Sequence, residues 1–155
     1  MPLTRRTFLG TSLSALALAC AGPGAGGAPR AAGRKRILIL GGTSFLGPAL
    51  VEAARPRGHE VTLFNRGQTN PGLFPDVEQL HGDRDGGLDV LRGRTWDAVL
   101  DTSGYVPRIV SMSARLLAPS VGRYLFVSSI SVYREGVQAG ADESAPVQEL
   151  DDPRS

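Results

Sequence analysis

The stretch Arg36 to Gly47, R-I-L-I-L-G-G-T-S-F-L-G, constrains the fold more than any other part of the chain. Ile37 to Leu40 is an unbroken apolar run that stops at two glycines, and helix-compatible sequence begins a few residues later. Such a run fits a parallel strand buried on both faces. Gly41 and Gly42 let the backbone turn sharply and come close to a ligand. The start of the following helix offers unpaired N–H groups and the positive end of a dipole, a place for a phosphate or pyrophosphate.

Downstream, strands and helices alternate. Pro48 falls in a first helical turn, with Leu50, Ala53 and Ala54 as an apolar stripe and Pro56 and Gly58 as the stop. Val61 to Phe64 and Val77 to Leu80 read as strands. Gly87 to Leu91 reads as a helical turn at most, and Trp96 to Leu100 as a fourth strand. Pro107 opens a helix whose apolar positions are Ile109, Val110, Met112, Leu116 and Leu117, and Tyr124 to Ser128 is a fifth strand. This rhythm predicts a doubly wound α/β parallel sheet with helices on both faces. Its ligand crevice would lie beyond the carboxyl ends of the strands.

The sequence pI near 9.1 suggests a nucleic-acid partner until charge is counted by region. Arg5, Arg6 and Arg30 lie in residues 1–33, which hold no acid; without them, 14 of the 17 basic residues face 15 acidic ones. Residues 34–155 therefore lack the excess positive charge that phosphate backbones select, and RNA is disfavoured as a partner.

Residues 1–33 read as an unstructured targeting leader and linker. Thr4-Arg5-Arg6-Thr7-Phe8-Leu9 resembles a twin-arginine export signal, and Leu13 to Ala19 is apolar but too short to span a bilayer. Ala21 to Ala32 is a Gly/Pro/Ala tether. Cys20, the only cysteine, has no intramolecular disulfide partner. Ala17-Leu18-Ala19-Cys20 suits either lipidation at Cys20 or cleavage after an A-x-A site. The expected location is outside the cytoplasm, with membrane attachment only through Cys20.

The strand tips carry a family resemblance. Gly41, Ser44 and Gly47 are spaced as in the T-G-x-x-G-x-x-G fingerprint of extended short-chain dehydrogenase/reductases, with Leu40 in place of the Thr and Ser44 in place of the middle Gly. Gly82-Asp83-Arg84-Asp85 resembles that group's G-D-x-x-D segment, and Asp101-Thr102-Ser103-Gly104 its small-residue loop. Val127-Ser128-Ser129-Ile130-Ser131-Val132-Tyr133 resembles its S-S-x-x-V-Y segment. From about Arg36 to about Pro146 the chain resembles the NAD(P)-dependent epimerase/dehydratase branch of this Rossmann family. The wording G-G-T-x-F-L-G followed by F-N-R-G looks most like a subgroup related to chloroplast stem-loop-binding proteins.

The resemblance implies a nucleotide cofactor on Gly41, Gly42, Thr43, Ser44, Phe45, Leu46 and Gly47. It places Asp83, with Arg84 beside it, against the adenine, and Thr102, Ser103 and Gly104 under the nicotinamide ribose. Ser129 takes the place of the catalytic serine. Tyr105 either faces the substrate or covers the helix start. At Asn65-Arg66 the acid that would bind a ribose 2′-hydroxyl is missing. Arg66 instead offers a planar cation suited to a 2′-phosphate, favouring NADP over NAD.

The family's Tyr-x-x-x-Lys pair is absent. Tyr105, Tyr124 and Tyr133 are followed four residues later by Ile109, Ser128 and Val137, and the only lysine is Lys35. His59 and His81 are isolated and indicate no metal site. The expectation is a Rossmann domain truncated after about five strands, with uncovered apolar surface and no turnover. Its substrate is an unidentified small molecule, a nucleotide sugar being one choice. A non-catalytic nucleotide- or RNA-binding module is the alternative.

Overall fold

The computed structural model describes residues 33–149 and Asp152. The twin-arginine motif, the short apolar stretch and Cys20 lie outside the described residues. Among the described residues no helix is long and apolar enough to cross a membrane.

Five strands form one all-parallel sheet: β1 (Arg36–Leu40), β2 (Glu60–Asn65), β3 (Glu78–His81), β4 (Ala98–Asp101) and β5 (Tyr124–Phe126), ordered β3-β2-β1-β4-β5. Two α-helices, α1 (Gly47–Ala54) and α2 (Pro107–Leu117), connect β1 to β2 and β4 to β5. The chain winds outward from β1 in one direction to β3 and then in the other to β5. The reversal leaves a crevice between the tips of β1 and β4.

The apolar run of β1 is buried from both sides, as a central parallel strand must be. Leu38 and Leu40 lie opposite Thr62 and Phe64 of β2. They join Phe64, Val99, Trp96, Leu88, Leu91 and Leu117 of α2 in one core. Ile39 points the other way, opposite Leu63, and packs with Val61, Leu63, Val51 and Ala54 under α1. Fully burying each Leu, Ile or Phe contributes about 1.5–3 kcal/mol, so the period-two alternation along β1 supports both layers at once.

Local signals act where expected. Pro48 sits in the first turn of α1, and the helix tightens into a 3₁₀ turn at Arg55–Arg57 that closes at Gly58 with φ 77°. Pro107 stands in the first turn of α2. On α2, Leu117 is fully buried, with Met112 and Leu116 packed against the core, and Ser113 is also buried.

Two strands are shorter than their sequence expectation. The fourth begins at Ala98 because Asp97 turns its carboxylate to the Arg36 N–H at 2.7 Å, while Trp96 pairs by an isolated bridge with Val121. The fifth ends at Phe126, although the Val127 N–H still donates to Asp101 O at 2.9 Å. Strand β5 is an edge of the sheet. Leu125, Phe126 and Val127 are exposed there, the uncovered apolar surface that the sequence suggested.

The glycine turn sets the distance between α1 and the sheet. A Cβ on Gly47 would stand 2.4 Å from Gly42 Cα and 2.6 Å from its carbonyl carbon, both backbone atoms that cannot swing aside. Gly47→Ala is expected to lower the unfolding free energy by about 3 kcal/mol, the upper part of the usual overpacking range. Urea unfolding followed by circular dichroism measures it, and unchanged stability would mean that helix and turn do not cross this closely.

Candidate nucleotide-binding cleft

The loops after β1, β2, β3 and β4 enclose a cleft of about 360 Å³ at the switch point. Its floor is the glycine turn. Gly41 and Gly42 have φ of 108° and 95°, values that side-chain-bearing residues rarely adopt. The Gly41 N–H donates to Phe64 O at 2.8 Å, and the Gly47 N–H to Ser44 O at 3.0 Å. Between them the N–H groups of Ser44, Phe45 and Leu46 have no acceptor among the described residues, and these three residues are exposed at the start of α1. Unpaired amides at a helix start form an anion site. Phe45 holds φ 53° with its side chain 85% exposed, a strained conformation for an aromatic residue.

The β2 tip separates two residues that the sequence had paired. Asn65 is committed to the turn. Its Nδ2 donates to Gln79 Oε1 at 3.2 Å and its Oδ1 accepts from the Gly67 N–H at 2.7 Å. Arg66 is exposed on the cleft wall and has no hydrogen-bond or ion-pair partner among the described residues.

Arg84, after β3, is the opposite case. Its guanidinium forms a fork with the fully buried Asp101, Nη1 to Oδ1 at 2.8 Å and Nη2 to Oδ2 at 2.7 Å. Nε and Nη2 also donate to Ser113 Oγ at 3.2 and 2.9 Å, and Nη1 approaches Ser103 Oγ at 3.4 Å. All five N–H groups of the side chain are thereby used. Arg84 borders the cleft, but it has no donor left for a phosphate.

Asp101 further accepts from Tyr124 OH at 2.7 Å and from the Ser103 N–H at 3.2 Å. Burial, reinforced by the bond to the Asp101 carboxylate, pushes the Tyr124 phenol well above its ordinary value. Tyr124 is thus a neutral donor and a poor proton acceptor.

The other expected residues divide between wall and frame. Asp83 borders the cleft and caps its own turn, Oδ1 accepting from the Asp85 N–H at 2.8 Å. Thr43, Thr102 and Ser103 also line the cleft; the Thr102 and Ser103 hydroxyls donate to Leu40 O at 3.1 and 3.2 Å. Gly42, Leu46, Gly47 and Gly104 are not among the residues that line it. A Cβ on Gly104 would meet Val110 and Phe126 at 2.5 and 2.6 Å. Ser129 is not on the wall. It is exposed after β5, capping the 3₁₀ turn Ile130–Val132 by accepting from the Ser131 N–H at 3.2 Å.

Sequence reasoning did not single out Asp101 as the hub, nor Gln68, Thr69, Val106 and Ile109 as wall residues. A carboxylate ending an apolar strand is the available signal for Asp101, since such a group must find a cation.

No family model matches the chain. It is 34% identical over 119 residues to chloroplast stem-loop binding protein of 41 kDa b of Arabidopsis thaliana, covering 66% of this chain and 31% of that protein. It is 27% identical over 134 residues to epimerase family protein SDR39U1 of Bos taurus, covering 75% and 44%. Among solved structures, the Bordetella bronchiseptica enzyme WbmG in complex with NAD and UDP superposes with a TM-score of 0.59 at 20% identity, over 76% of this chain and 44% of that one. The chain is similar to proteins of the epimerase family. Its sheet has the Rossmann fold of the solved epimerase structures it superposes on, and it spans between about a third and under half of the length of the curated relatives it matches.

Two outcomes test the buried cluster. Arg84→Met leaves Asp101 buried and uncompensated and is expected to cost about 3–5 kcal/mol of stability, read by urea unfolding. For Tyr124, the folded pKa lies above the unfolded value of 10.0, so its contribution is complete below about pH 10 and is lost as pH rises further. Stability should therefore decline between pH 10 and 11, and Tyr124→Phe should flatten that decline. An unchanged alkaline limb in the variant would remove Tyr124 from the account.

Proposed function

We propose that this chain is the nucleotide-cofactor-binding portion of an exported NAD(P)-dependent epimerase/dehydratase or reductase, and that it prefers NADP to NAD. The observation that carries the reading is the pairing, in one switch-point cleft, of unpaired amides after β1 with the unpartnered Arg66 after β2.

The residues present fit such a group. The Ser44 to Leu46 amides and the α1 start receive the pyrophosphate, and Arg66 pairs with a 2′-phosphate on the adenosine ribose. Asp83 keeps one carboxylate oxygen for the adenine amino group. Thr102 and Ser103 keep the wall beside the second ribose low. When bound, the cofactor supplies a hydride acceptor or donor.

Among these 155 residues there is no Tyr-x-x-x-Lys pair to move the accompanying proton, so the chain is assigned binding and not turnover. A nucleotide sugar is the substrate class proposed for the whole protein, in keeping with the UDP bound by the structurally similar WbmG. The twin-arginine motif and Cys20 support export, with membrane attachment only if Cys20 is lipidated.

The similarity to a stem-loop binding protein favours one other reading, an RNA-binding module. Fourteen basic against fifteen acidic residues from Arg34 onward oppose it.

Titration calorimetry with NADP and NAD side by side tests the proposal. NADP is expected to bind more tightly, with Arg66→Ala weakening NADP about tenfold and leaving NAD unchanged. Equal affinities, unaltered by the substitution, would overturn the NADP preference. RNA binding with a steep salt dependence and no dinucleotide binding would favour the second reading.

A further inference from the structure

The cleft contains a feature that charge recognition leaves unused. Phe45 and Tyr105, 85% and 87% exposed, are the two most exposed large hydrophobic residues among those described, and both line this one cleft. Neither side chain has a hydrogen-bond partner among the described residues, and neither joins a core cluster. An aromatic residue held at φ 53° with its ring in water is costly on both counts. Tyr105 does not cover the start of α2, the other role open to it. The helix N-cap, Val106, receives no side-chain cap, and the Tyr105 ring stays in solvent.

Sheet order decides which part of a ligand meets this pair. Neighbouring strands are about 4.8 Å apart. A pyrophosphate over the β1 tip therefore has Arg66 one strand away at β2 and Tyr105 one strand away on the other side, after β4. A dinucleotide whose 2′-phosphate meets Arg66 sends its second nucleoside toward Tyr105. Phe45, on the β1 loop, stands between the two halves.

We infer that Phe45 and Tyr105 form an aromatic clamp that holds the nicotinamide ring of the bound dinucleotide. The inference rests on the cofactor reading above and goes beyond it by assigning ring recognition to two residues outside any catalytic pair. Tyr105 is the stronger test, because its exposed side chain can be removed without touching a core.

Three ligands separate the possibilities in the full 155-residue chain: NADPH, adenosine 2′,5′-bisphosphate, which lacks the nicotinamide half, and UDP-glucose. Wild-type protein should enhance NADPH fluorescence as the ring leaves water. Tyr105→Ala should abolish that enhancement and weaken NADPH about tenfold, with unchanged affinity for the bisphosphate, and Tyr105→Phe should restore both. Equal loss for NADPH and the bisphosphate, or no loss for either, overturns the clamp and leaves the cofactor reading intact. A Tyr105→Ala effect confined to UDP-glucose overturns it in favour of a substrate ring. A wild-type chain that binds none of the three overturns the cofactor reading and the clamp together.

Discussion

The arrangement of the cleft depends on one buried ion pair, Arg84 with Asp101. A carboxylate with no exposure is tolerable only when its lone pairs are met. Here two guanidinium N–H groups, a phenol and a backbone amide meet them. Those donors come from the loop after β3, from β5 and from the loop after β4. Ser113 of α2 then accepts two more guanidinium donors, and its own hydroxyl donates to Ile109 O at 3.1 Å. Four separate elements are thus tied at one point beneath the cleft, and the separation of its walls follows from that knot. The exposed fork between Arg108 and Asp85, at 2.7 and 2.8 Å, joins the same loop to the same helix at the surface. It is screened by solvent and contributes far less.

The second constraint is steric. At Gly42 and Gly47, turn and helix touch backbone to backbone, so the start of α1 is brought directly over the tip of β1. A Cβ on Gly42 would run into the Leu63 side chain at 2.6 Å. The amides of Ser44 to Leu46 are left facing outward because neither the sheet nor the helix can supply them with carbonyls. The candidate anion site arises here from close packing and not from any charged side chain.

This division explains what could be read in the sequence. The parallel sheet, its strand sequence and the switch-point crevice were legible because apolar runs, glycine turns and helix-starting prolines are local features. Gly41 and Gly47 announced the turn for the same reason. Arg66 and Arg84 could not be told apart, since both are arginines just beyond a strand end. Only the tertiary fold shows that one faces solvent alone while the other is saturated by Asp101, 17 residues away in sequence. Ser129 was drawn from a motif whose register is local, yet its placement beyond the cleft wall depends on how the chain leaves β5. Asn65 lines the cleft while its amide also bonds Gln79 and the Gly67 N–H, a double use that only the fold reveals.

With Arg84 neutralised from within, the electrostatics of the cleft become asymmetric. Positive potential remains at the β2 side through Arg66 and over the helix start through the free amides, while the β4 side presents aromatic surface and hydroxyls already bonded to Leu40 O. A ligand that is anionic at one end and in its middle, and flat and weakly polar at the other end, satisfies every part of this surface. A simple phosphate compound leaves the aromatic half wet, and a polyanion such as RNA finds no second unpaired arginine on the described cleft wall. The chemical polarity of the crevice, more than its volume, is therefore the argument for a dinucleotide. It exists because a carboxylate at the end of β4 withdrew one of the two nearby arginines from the solvent side.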